Sequence, residues 1–159
     1  FSLCELHEEQ TSKEMDFHLL FEKINISGSL GNFLKGSIDL VFEWEGKFYI
    51  ADYKSDRLPD YSDGFLTQRM EDNSYVLQKN IYAYIFFEYL KSIYGEEYAL
   101  TKFGGVYYLF VRGMKENTSD GIYYDFGKGN EGAWNAKRFE SIRSLVDKQV
   151  LNAIKGAVI

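Results

Sequence analysis

GSIDLVFEWEGKFYIADYKS, residues 36–55, is the stretch on which the fold turns. Two runs rich in β-branched and aromatic residues flank Glu45-Gly46, and glycine supplies the positive φ that a short hairpin turn needs. With a two-residue loop, Trp44 faces Lys47, and counting back sets Asp39 opposite Asp52. Directly opposed residues hold their Cβ atoms roughly 5 Å apart on one face of a sheet. Lys54, two residues beyond Asp52, points to that same face. Two carboxylates and an ammonium are therefore expected in one small area.

That face also carries Val41, Phe48 and Ile50, while the opposite face carries Ile38, Leu40, Phe42, Tyr49 and Ala51. A hairpin apolar on both faces is an interior one, covered on both sides. Solvated surface charge, the ordinary meaning of an Asp-x-Lys strand, fits that setting poorly. Two carboxylates meeting there without a counterion repel, and one stays protonated. A divalent cation removes the conflict, and oxygen-only ligands suit Mg²⁺ or Mn²⁺. The expectation is a metal site.

The chain around the hairpin has 159 residues, 45% of them apolar, enough for a single domain over 1–159 with a real core. It shows no internal repeat or low-complexity tract. No apolar run approaches the ~20 residues of a membrane span, and no signal peptide opens the sequence. A single cysteine, Cys4, forms no internal disulfide and no multi-cysteine metal or iron–sulfur site, and points to an intracellular compartment. The first residue is Phe1, so the chain is expected to be a piece of something longer. A net charge of −6 argues against a free-standing nucleic-acid binder that relies on its overall field. It leaves room for a local groove on a domain tethered to a larger DNA-bound machine.

Upstream of the hairpin, residues 1–13 are polar, the expected tail of a helix. Met15, Phe17, Leu19 and Phe21 then alternate as in an amphipathic strand, with His18 on its other face as an ordinary strand residue. A further short strand is expected from Ile26 to Leu34. Downstream, a polar turn region holds the only proline, Pro59. Residues 65–95 are expected to be mostly helical, with Gly95 as the stop. Tyr75, Gln78, Tyr82 and Tyr89 fall on one stripe of that helix. An aromatic stripe is usually core, but Gln78 disturbs it, because a buried amide without partners costs roughly 1–3 kcal/mol. Facing a groove, Gln78 and Tyr82 could hold a phosphate or a base. FGGVYYLFVR (103–112) is a buried strand, GIYYDF (121–126) its partner or an edge, and the polar loop between them is expected to be mobile. Phe139, Ile142, Val146, Val150 and Ile154 mark a closing amphipathic helix. The order of elements gives an α/β domain with a mixed sheet flanked by helices.

GSIDLVF…YIADYKS, the Gln78-x-x-x-Tyr82 helix and FGGVYYLFVRG occur in that order. Together they resemble the RecB-type nuclease domain, the C-terminal module of bacterial helicase–nucleases, within the restriction-endonuclease-like PD-(D/E)xK superfamily. The resemblance covers roughly residues 14–126. It implies that Asp39 and Asp52 bind metal, joined by the backbone carbonyl of Tyr53, and that Lys54 is the catalytic lysine. Gln78 and Tyr82, with Tyr75 on the same stripe, take the substrate side. The implied activity is Mg²⁺-dependent hydrolysis of DNA phosphodiesters, with Mn²⁺ as a substitute. The implied partners are DNA, the rest of a RecB-like polypeptide and RecC- and RecD-like subunits, in the bacterial cytoplasm and away from membranes. The family also places a metal-ligand histidine on a helix upstream of the first strand. The chain is expected to begin after that helix, and neither His7 nor His18 takes the role. Relatives with iron–sulfur clusters need four cysteines, which sets that branch aside. A competing reading is a nuclease-fold module that binds DNA or a partner subunit with little catalysis. An unrelated sugar- or lipid-binding α/β domain leaves the buried charges unexplained.

Overall fold

A computed structural model describes residues 6–20, 33–72, 75–127 and 132–156. Its elements are β1 (Thr11–Leu20), β2 (Phe33–Trp44), β3 (Lys47–Lys54), α1 (Asp63–Asp72), α2 (Tyr75–Tyr94), α3 (Glu96–Lys102), β4 (Phe103–Phe110), β5 (Ile122–Asp125) and α4 (Ala136–Gly156). The five strands lie side by side in chain order.

The hairpin forms as its sequence dictates. Trp44 faces Lys47, and Glu45 and Gly46 both have positive φ, 49° and 71°, the requirement of a two-residue type I′ turn. From there the ladder runs to Leu40↔Ala51 and ends. Asp39 and Asp52, one step further, stand where the two strands part. β3 then pairs parallel with β4, which calls for a long crossover. Helices α1, α2 and α3 are that crossover. The α/β class with a mixed, helix-flanked sheet, as expected of a restriction-endonuclease-like core, is observed.

Helices cover the face that carries Asp52. Ile50, Val106, Tyr108 and Phe110 pack there with Leu66 and Met70 of α1, Phe86 and Leu90 of α2, and Phe139, Ile142 and Val146 of α4. The side chains of Val150 and Ile154 lie outside the described residues. The opposite face differs from expectation. Leu40, Phe42, Ala51 and Leu109 form a smaller cluster there, closed by Leu6, Trp44, Tyr49, Tyr107 and Ile122. No helix residue contributes to it among the described residues; aromatic rings shield the aliphatic side chains instead, with Phe42 stacked on Tyr49 at 5.3 Å. Ile38, expected on that face, joins the helix-side core with Phe17. Beside it, where β1 passes Asp39, Glu14 takes a φ of 53°, and the β2–β3 ladder has already ended.

Several outer boundaries moved. β1 starts at Thr11, preceded by a single 3₁₀ turn over Glu8–Gln10; among the described residues 6–13 there is no α-helical tail. The strand expected from Ile26 lies outside the described residues except for Phe33 and Leu34, which open β2. Phe21 and Cys4 are also outside them. Gly95 (φ 87°) does end α2. β5 is the edge strand, antiparallel to β4. The 113–120 loop is laced at both ends: Gly113 N–H donates to the Phe110 carbonyl and Gly121 N–H to that of Tyr61.

Candidate active site

Where β2 and β3 part, their backbone groups need new partners. The Tyr53 N–H donates to Asp39 Oδ2 at 2.8 Å, so a side chain takes the place of the missing ladder bond. The N–H and C=O of one strand residue leave the same edge. The Tyr53 carbonyl therefore faces the Asp39 side, whereas the Lys54 carbonyl turns the other way to accept from Val111 N–H. The Tyr53 ring itself is half exposed.

Asp52 sits deeper, 5% exposed. Lys54 Nζ lies 2.6 Å from its Oδ2, an ion-pair distance, but no donor meets that oxygen with hydrogen-bond geometry. Burial pushes the Asp52 carboxyl above the usual aspartate range, the Lys54 ammonium pulls it back, and the charge of Asp39 adds to the rise. One cation is not enough to offset the desolvation of this carboxylate.

Helix α2 lowers Gln78 onto the pair. Lys54 Nζ donates to Gln78 Oε1 at 2.8 Å, which fixes the amide orientation because an ammonium cannot accept. Gln78 Nε2 then donates to Asp52 Oδ1 at 3.3 Å and to the Tyr82 hydroxyl at 3.0 Å. The Tyr108 hydroxyl donates to Gln78 Oε1 at 3.2 Å. The amide is satisfied on both sides, removing the penalty that made Gln78 conspicuous. Lys54 also lies against two aromatic faces, 4.6 Å from the Tyr75 centroid and 5.1 Å from that of Tyr108, within cation–π range. The Tyr75 hydroxyl donates to Asp56 Oδ1, which also receives Arg69 at 2.7 Å.

Asp39, Asp52, Tyr53, Lys54, Gln78, Tyr82 and Tyr75 are thus brought together as expected from the sequence. Tyr89, on the same helical stripe, is not; it is 45% exposed and stacks on Phe86. Tyr108 was missed. Its signal was a hydroxyl inside an otherwise buried apolar strand, and it lies directly across from Asp52 in the parallel register.

As a cation site, the donor set is two carboxylates and a carbonyl, all hard oxygens suited to Mg²⁺ or Mn²⁺. The buried Asp52 Oδ2 lacking a directed donor fits such a ligand role. Among the described residues, no group of three or more His, Cys, Asp or Glu gathers to complete the shell. Water would have to fill the remaining positions, as Mg²⁺ commonly allows. Chemically the cluster offers an anionic edge for a cation and, within 3 Å of it, a positioned ammonium.

No family model matches the chain. Individual proteins do. The RecBCD enzyme subunit RecB of Haemophilus influenzae is 38% identical over 112 residues, 68% of this chain and 9% of that protein. The RecB subunit of Borreliella burgdorferi is 33% identical over 159 residues, 81% of this chain and 13% of that protein. That of Escherichia coli is 41% identical over 95 residues, 57% of this chain and 8% of that protein. The chain spans only a small part of the length of these relatives. No helix among the described residues is long and apolar enough to cross a membrane. By sequence, the chain is a relative of the RecB subunits of RecBCD enzymes, matching one segment of them.

Proposed function

We propose that this chain is the nuclease module of a RecB-like helicase–nuclease, hydrolysing DNA phosphodiesters with Mg²⁺ in the repair of double-strand breaks. The observation that carries the reading is the meeting of Asp39, Asp52 and Lys54 at the point where the β2–β3 ladder opens, with Gln78 bridging Asp52 and Lys54. Asp39, Asp52 and the Tyr53 carbonyl would hold the cation, which when bound supplies Lewis-acid polarisation of a phosphoryl oxygen. Lys54 places its ammonium where negative charge develops on the phosphate, held against reorientation by Gln78 and by the faces of Tyr75 and Tyr108. Gln78 and Tyr82 line the approach for a strand of DNA. The rest of a RecB-like polypeptide, RecC- and RecD-like subunits and a bacterial cytoplasmic setting belong to the same proposal.

Anomalous diffraction from crystals soaked in Mn²⁺ tests it, with the ion expected between Asp39 and Asp52. Density elsewhere, or none at millimolar metal, sinks the reading. A second reading, a module that binds DNA or a partner with little catalysis, draws support from the two-carboxylate shell and the charge of −6. Cleavage of linear single-stranded DNA separates the two. We expect this chain to cut poorly, at millimolar metal and with steep loss on adding salt.

A further inference from the structure

Next to Gln78 on α2 stands Lys79, whose side chain is wholly buried, an unusual place for an ammonium. It lies 2.8 Å from Asp125 Oδ2. Arg138 of α4 grips the same carboxylate with NH2 at 2.6 Å and NH1 at 3.3 Å. The Gly127 N–H donates to Asp125 Oδ1 and the Trp134 indole to the Asp125 carbonyl. Buried charge of this kind adds little stability over apolar side chains of the same volume, and fixing register is its best-attested use.

Successive helical residues point about 100° apart. α2 runs over β4, and the two neighbours reach to either side of it: Gln78 to β3 at Lys54 and Asp52, Lys79 to β5 at Asp125. Turning or sliding α2 by an ångström would break both sets of contacts together. A line of rings joins them beneath the helix. Lys79 Nζ lies 3.4 Å from the Tyr123 hydroxyl, the Tyr123 ring meets Tyr108 edge-on at 6.4 Å, and Tyr108 donates to Gln78 Oε1. We infer that Lys79, Asp125 and Arg138 are positioning residues, which hold α2 at the roll that lets Gln78 span Asp52 and Lys54. The inference rests on the proposed function for its effect on cleavage, but not for its effect on Gln78.

Lys79→Met tests this with little risk to folding, since Asp125 keeps Arg138 as a counterion. In metal-free protein, the Gln78 side-chain amide protons should shift and exchange faster by NMR. Single-turnover cleavage of single-stranded DNA should fall about 10- to 100-fold, the cost of misplacing a catalytic constellation by an ångström, while DNA affinity stays within a factor of about two, since only the transition state is affected. In a Gln78→Ala background the same substitution should cost nothing further. Lys79→Arg, which restores the charge, should recover much of the loss, and Lys79→Leu replaces Met if Met unfolds the chain. Unaltered Gln78 amide signals in the folded Met or Leu variant, or a rate loss that multiplies in full with that of Gln78→Ala, overturns the inference. If the parent chain cuts no DNA, the nuclease reading fails, and the Gln78 signals still decide the positioning role.

Discussion

Two carboxylates lie almost equally deep in this domain, Asp52 at 5% and Asp125 at 7% exposure, and their surroundings push them in opposite directions. Burial raises both. At Asp125 that rise is outweighed by the hydrogen bonds from Arg138 and the charge and contact of Lys79, and its carboxyl is held below the usual range. At Asp52 a single lysine faces a second carboxylate nearby, and the carboxyl stays above it. Asp125 is a closed account of charge. Asp52 has one ammonium against its burial and a second carboxylate and sits beside an opening in the sheet, which is the condition under which a binding site and not a structural pair is expected.

The sharpest break between the two comes from deletion. Asp125→Ala leaves Lys79 and Arg138 buried without their carboxylate and should cost about 3–5 kcal/mol, seen as a fall in the urea midpoint or as failure to fold. Asp39→Ala or Asp52→Ala, in metal-free protein, loses the Tyr53 or the Lys54 and Gln78 contacts but relieves repulsion and should cost far less than Asp125→Ala, yet Mn²⁺ binding by calorimetry should vanish. Equal destabilisation by Asp52→Ala and Asp125→Ala, with metal affinity unchanged in the former, would make Asp52 a structural residue too.

Next in size is Lys54→Ala. Removing one group that stabilises developing charge costs about 10²- to 10³-fold in turnover, and DNA affinity measured by anisotropy should hardly move. A wild-type rate with weakened binding would reduce Lys54 to a phosphate contact.

The two centres were not equally legible. The hairpin register, and with it Asp39, Asp52 and Lys54, follows from Glu45-Gly46 and the alternation around it, because strand geometry is local and has a period of two. The amide at Gln78 announced itself as a polar group on an apolar stripe. The Asp125 centre did not. Its three members come from residues 79, 125 and 138, and nothing in the helix sequence says whether Lys79 snorkels to solvent or is buried. A lysine two residues before the aromatic run IYAYIFF was a hint, but its partner lies 46 residues away. The bare sheet face was misread for a related reason. Alternating apolar residues tell which way side chains point, not whether a helix or their own aromatic neighbours will cover them.

Acidity sharpens the same contrast at a smaller scale. The folded value of Asp52 lies above 3.8; from 3.8 up to that raised value the native state holds more protons than the unfolded, so stability falls as pH rises. Asp125 and Asp56 have folded values below 3.8. Their contribution is complete above 3.8 and is lost as pH falls through the lowered values. Urea denaturation of metal-free protein from pH 2 to 7 should show both limbs. Asp52→Asn should flatten the decline on the rising side alone, and loss of the acid limb in that variant would mean that the two centres are coupled.

The smallest expected effect is at Tyr82. Its hydroxyl accepts from Gln78 Nε2 at 3.0 Å, while its ring meets Phe17 edge-on at 5.7 Å. Tyr82→Phe keeps the ring contact and removes only the acceptor. Gln78 Nε2 is then left with Asp52 Oδ1 at 3.3 Å, so about 0.5–1.5 kcal/mol should be lost, the net worth of one hydrogen bond. Because Asp52 and Tyr82 share the same amide donor group, that loss should shrink in an Asp52→Ala background, where the amide is free to turn. At Asp125, by contrast, Tyr82→Phe has nothing to disturb, and its effect should add in full to that of a mild change there such as Lys79→Met only if α2 keeps its roll. Thermal melts of the two double variants measure these couplings. Strict additivity of Tyr82→Phe with Asp52→Ala would show that the amide bridges nothing, and the link between Gln78 and the carboxylate would have to be given up.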